Sequence, residues 1–421
     1  MHLQRYPLLV SLCTMTLLLS ACVPSDTSGT SPSASDSSGS DHGEVTGATQ
    51  VAEPPLQLLS IDDSGNVGLR DLLDDSTTEL GTIPAPQSTA TDGRYVFANT
   101  PDGLHILDSG TWTWDHVDHF HYYRSAPSII GAITGEGPAT VATGPLSTAG
   151  TTGVFFSGSR EAVLLDNSAL AEGTIVELFR ISSDLDAGLV VPLGDGALVA
   201  EAADGVSASA ENTVAKLRYY STDGKQTDFS APCRAAAGTI TTRVGAVIGC
   251  ADGAILATLD GDSPVFERIP YPANARADPA VAFDGRKGRP TVAALAGTSG
   301  FWLLDTRERT WRLVETEHPL VRVSAVDDSD GHVVAVDHEG RVSVFLAESG
   351  EEVATTQPLV AAALSDPVAL AGLTLVVDAQ RAYVNAASEG VVYEIAFADD
   401  ARIARTLSTP TAPSYFAEVG R

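Results

Sequence analysis

Ser299-Gly300-Phe301-Trp302-Leu303-Leu304 is a glycine turn that runs directly into large apolar residues, with no room for a helical turn before Asp305. A short apolar run bounded by Gly and Asp reads as a strand buried on both faces. The same unit stands at Ser64-Gly65-Asn66-Val67-Gly68-Leu69, Asp102-Gly103-Leu104-His105-Ile106-Leu107 and Arg160-Glu161-Ala162-Val163-Leu164-Leu165. A looser copy is Val214-Ala215-Lys216-Leu217-Arg218. It returns at Asp252-Gly253-Ala254-Ile255-Leu256, Glu339-Gly340-Arg341-Val342-Ser343-Val344 and Glu389-Gly390-Val391-Val392-Tyr393. These eight copies lie about 37 to 57 residues apart, the spacing of four-stranded propeller blades. The expectation is an all-β chain: a single β-propeller of eight four-stranded blades over residues 55–421, with seven blades as the alternative count. The tail, Ser414-Tyr415-Phe416-Ala417-Glu418-Val419, reads as a strand without a blade, and the first unit begins late, at Leu56-Gln57-Leu58-Leu59. The tail is therefore expected to supply the missing strand and close the ring, which removes exposed sheet edges.

Working outward to the start, residues 1–21 carry His2 and Arg5, an apolar run from Leu8 to Leu19, and Ser20-Ala21. That is an export signal, too short to remain as a spanning helix. Leu19-Ser20-Ala21-Cys22 resembles a bacterial lipobox, which implies that Cys22 is lipidated and becomes the new amino terminus. An ordinary cleaved signal with Cys22 incidental is the alternative. Residues 22–54, rich in Ser, Gly, Thr and Asp, cannot bury enough apolar surface to order themselves and read as a tether. Its one histidine is His42.

The net charge is −29. Repulsion on that scale excludes nucleic acid as a partner and favours cations. Cys233 and Cys250, an even pair in an exported body, point to a disulfide across neighbouring strands; a redox or metal-binding pair is the alternative.

Three of the nine histidines fall within Asp115-His116-Val117-Asp118-His119-Phe120-His121-Tyr122-Tyr123. Thr111-Trp112-Thr113-Trp114 reads as the fourth strand of the second blade, so this segment would cross from rim to axis on the face of the blade-to-blade connections. If extended, His119 and His121 share a side, with Asp115 and Tyr123 in line, while His116 and Asp118 face the other way. His318, in the equivalent connection after the sixth unit, would meet them over the channel, with His338 on a turn of the same face. His332 reads as structural or exposed on the opposite face, and His105 as a strand residue. Imidazole with carboxylate suits Zn²⁺ first, then Ni²⁺ or Cu²⁺.

With these residues the chain resembles the AztD-type zinc metallochaperones: an exported propeller bearing Asp115-His116-Val117-Asp118-His119-Phe120-His121-Tyr122-Tyr123. The likeness extends over most of residues 55–421. The resemblance implies a zinc carrier, not an enzyme, that passes Zn to the solute-binding protein of a zinc ABC importer. It would be a monomer, lipid-anchored to the cell membrane on its extracytoplasmic side. Family members often carry a histidine-rich mobile segment, where this tether offers His42. Two other classes stay open. One is a scaffold that binds a protein or cell-wall polymer; the other is a propeller hydrolase or lyase with Glu315 or Glu317 as base.

Overall fold

The computed structural model describes Val45 and residues 47–115, 119–202 and 216–421. Cys22, His42, His116 and Asp118, and the export signal and most of the tether, lie outside the described residues. The chain is all-β, with nine antiparallel sheets among the described residues. Eight of them follow one plan: consecutive strands pair in order, each turn reversing direction. All eight copies of the turn-strand unit fall on the third strand of that plan. In the sixth sheet the place of the first strand is reduced to a single bridge between Asp284 and Ala293.

The repeated glycine has a physical cause. Gly103, Gly253 and Gly300 open third strands with φ of +140°, +146° and +127°, and a Cβ on any of them would sit on a backbone carbonyl of the adjoining fourth strand or the loop it leads into. Only glycine allows that approach. The second strands Tyr95–Thr100, Thr151–Phe156 and Ala246–Cys250, just before the turn, are buried throughout, whereas outer strands such as Thr77–Thr82 and Glu352–Thr355 are largely exposed.

Apolar layers join successive sheets. Phe97 and Ile106 meet Phe156 and Leu165 between the second and third. Trp302 and Trp311 meet Val247 and Leu256 between the fifth and sixth, and Val334 meets Val384 between the seventh and eighth. Tyr383 and Val392 of the eighth pack on Leu58 and Phe416 of the first. A buried leucine or phenylalanine side chain stabilises by about 1.5–3 kcal/mol, so these layers dominate the energetics. Cys233, just beyond the Gln226–Pro232 strand, is disulfide-bonded to Cys250, with Cα atoms 5.2 Å apart.

The tail strand Tyr415–Val419 pairs antiparallel with Gln57–Ile61, completing the first sheet with residues from far along the chain. Its last residues then reach several sheets. Gly420 N–H donates to Gly93 O at 2.7 Å, Lys287 Nζ donates to Arg421 O at 3.0 Å, and the Arg421 guanidinium donates to Val377 O at 2.7 Å and pairs with Glu418.

Two expectations are corrected. Thr111–Asp115 is not the fourth strand of the second sheet; Ser128–Ile133 takes that place, pairing with Gly103–Asp108. Thr111–Asp115 and Phe120–Arg124 instead form a hairpin inserted between the third and fourth strands. Thr49–Val51, expected in the tether, is a strand paired with Phe120–Arg124, because the hairpin's outer edge offers unpaired backbone groups to a β-branched segment.

Glu418 is 1% exposed. Burial pushes its carboxyl up to about 8, with Arg421 opposing and Asp378 reinforcing. The unfolded chain releases that proton near the ordinary value of 4.5. Between those pH values the fold retains a proton that the unfolded chain has lost, so the contribution of Glu418 to stability falls as pH rises from about 5 to 8. Glu418→Gln should flatten that slope in urea unfolding across this range.

Candidate metal centre

The hairpin is held at its base by a buried ion pair. Arg94 donates to both oxygens of Asp108, at 2.9 and 2.7 Å, and its guanidinium lies 4.0 Å over the Trp112 ring. Trp112 stacks on its cross-strand partner Tyr123, centroids 5.1 Å apart. Such cross-strand aromatic pairs fix register. Gly110 makes the entry turn at φ +72°; a Cβ there would stand 2.5 Å from Ser125 O. Thr113 Oγ1 donates to Gly420 O at 2.7 Å, and Arg124 pairs with buried Asp71 at 2.6 Å.

This register places the histidines. Trp114 is opposite His121, and Asp115 is opposite Phe120. His121 therefore shares a face with Trp112, Trp114 and Tyr123, and its ring lies 6.2 Å from that of Tyr123. Asp115 falls on the other face, contrary to the extended reading, because the hairpin reverses the chain between it and His119. His119 and His121 do come together: their Nε2 atoms are 2.9 Å apart and their rings meet edge-on at 72°. His121 is 8% exposed, and His119 is exposed.

Two imidazole nitrogens aimed at one point can share a proton or a cation. Zinc–imidazole bonds of about 2.0–2.1 Å at a tetrahedral angle set two nitrogens about 3.3–3.4 Å apart. Opening the pair by a few tenths of an ångström admits the ion.

His318 does not join this pair. It sits in the connection from the fourth strand of the sixth sheet to the seventh sheet, and the ring of His338 is 6.1 Å away. His338 N–H donates to Pro319 O, tying the turn between second and third strands to that connection. In up-and-down sheets this is the end opposite the one that carries a connection between third and fourth strands. The expected convergence of His318 with His119 and His121 failed because the histidine segment entered one strand earlier in its sheet than its pattern suggested. His105 lies within its strand, with Nε2 3.4 Å from Asp102.

His332 has a role that the sequence reading passed over. Its Nδ1 lies 2.6 Å from Asp328 Oδ2, and ligand atoms of Asp328, Asp330 and His332 lie within 4.8 Å of one another. The signal was present in Asp327-Asp328-Ser329-Asp330-Gly331-His332, an acidic turn running straight into a strand.

No family model matches the sequence, and no curated protein does. Among solved structures, apo AztD from Citrobacter koseri superposes with a TM-score of 0.72 at 19% identity, over 86% of this chain and 97% of that one. The fold is of the AztD type. A second structure of Citrobacter koseri AztD gives a TM-score of 0.69 at 20% identity over the same shares. The AztD likeness spans the hairpin-bearing body as a whole, at an identity that speaks to fold and not to ligands.

Gly110→Ala should destabilise the protein by at least about 1 kcal/mol, since it adds both a strained φ and a clash. Urea unfolding followed by tryptophan fluorescence checks this; an unchanged midpoint would mean that the entry turn does not constrain the hairpin.

Proposed function

We propose that the protein is an extracytoplasmic zinc metallochaperone that delivers Zn²⁺ to the solute-binding protein of a zinc ABC importer. The observation that carries this reading is the His119–His121 pair, Nε2 to Nε2 at 2.9 Å, on an AztD-type fold. The two imidazoles would hold the ion unequally. His121 is buried and fixed by strand pairing. His119 stands exposed, so a ligand from the acceptor can replace it while His121 still binds. Exchange one ligand at a time spares the ion full rehydration, which makes a direct handover faster than release into water. The net charge of −29 draws cations toward the surface. In this reading His116 and Asp118, neighbours in the chain, are the first candidates for the remaining donors, and His318 stays outside the site.

The eight sheets are read here as eight blades of one closed propeller, with Tyr415–Val419 as the closing strand. Support comes from apolar layers that join successive sheets, the eighth to the first included. Cys22 is read as the lipidated residue that anchors a monomer to the outer side of the cell membrane. Cys22→Ala should then release the protein from the membrane fraction; retention there would overturn the anchor.

Zinc titration of the mature protein against a competing chelator tests the function. A His119→Ala/His121→Ala variant should bind its tightest zinc at least 100-fold more weakly, about 2.7 kcal/mol. Transfer to the apo solute-binding protein should accelerate with acceptor concentration. Wild-type affinity in the double variant, or a transfer rate independent of acceptor, would refute the reading.

A further inference from the structure

We infer that the turn between the first and second strands of the seventh sheet is a second metal site, for a divalent transition-metal ion, built from Asp328, Asp330 and His332. It is separate from the His119–His121 pair and does not depend on that pair's function.

The turn runs from Leu320–Ala325 to His332–Asp337. Asp328 organises it with both oxygens: Oδ1 accepts the His332 backbone N–H at 2.8 Å, and Oδ2 meets His332 Nδ1 at 2.6 Å. This contact is a hydrogen bond that a cation would replace, with Nδ1 and Oδ2 then bound side by side on one ion. The ring is 8% exposed and lies 5.3 Å from the Phe397 ring, which fixes its plane. The ring lines a cleft of about 500 Å³.

The cleft defines the partner's charge. Asp330, Glu348 and Asp400 line it along with His332, and no lysine or arginine does. The ligand atoms of Asp328, Asp330 and His332, all within 4.8 Å of one another, span the size of one coordination sphere. One imidazole with two carboxylates is a borderline donor set. It favours Zn²⁺, Mn²⁺ and their neighbours over Ca²⁺, which takes oxygen alone. An open cleft leaves the remaining positions to water, so this site should be the weaker of the two.

The test uses the mature protein with zinc or manganese as the only added ligand, and binding is read by equilibrium titration and by Mn²⁺ electron paramagnetic resonance. The His119→Ala/His121→Ala variant should still bind one equivalent. Adding Asp330→Asn, at an exposed position whose loss spares the core, should weaken that equivalent at least tenfold. Asp330→Asn alone should leave the tighter equivalent unchanged. No residual equivalent in the double variant, or equal affinity with and without Asp330→Asn, would overturn the site. Neither result bears on whether His119 and His121 bind zinc.

Discussion

The pairing of Tyr415–Val419 with Gln57–Ile61 is the constraint on which the rest depends. Each repeated sheet is made from local turns, but this one joins residues more than three hundred positions apart. Until it forms, the first sheet lacks a strand, and Phe416 cannot enter the layer with Tyr383 and Val392. The contact that Gly420 makes with Gly93, and the one that Thr113 makes with Gly420, also wait on it. The histidine hairpin is therefore secured by residues about three hundred positions further along the chain. Closure of so long a loop costs entropy before any contact rewards it, so this step is expected to be late and slow in folding.

The hairpin shows how local and distant forces share the work. Its register is set locally by the Trp112–Tyr123 stack, and its base is anchored by Arg94 and Asp108, a pair that is buried and doubly hydrogen-bonded. Removing one member would strand the other's charge in the interior, which is far more costly than the pair is favourable. The result is an asymmetric pair of imidazoles, one held by the sheet and one presented to solvent.

Much of this fold was legible in the sequence because glycine and large apolar residues recur at a position where sterics leave little choice. Gly103, Gly253 and Gly300 occupy backbone that a side chain could not share with the neighbouring carbonyl. The proximity of His119 and His121 was legible for an equally simple reason, since residues two apart on a strand share a face. The hairpin was not. Thr111-Trp112-Thr113-Trp114 alternates as an outer strand does, and nothing local distinguishes an inserted hairpin from the fourth strand it displaces; Ser128–Ile133 makes that distinction only through its pairing with Gly103–Asp108. Asp115 changed face for the same reason. His332 was passed over because a lone histidine at the start of a strand gains meaning only from the carboxylates and the cleft that folding gathers around it.

The short strand Thr49–Val51 adds a consequence for orientation. It lies along Phe120–Arg124, with Val51 opposite Tyr122. The strand thus runs from the hairpin's base, where Thr49 faces Arg124, toward its tip, so its end and not its start lies nearer the imidazoles.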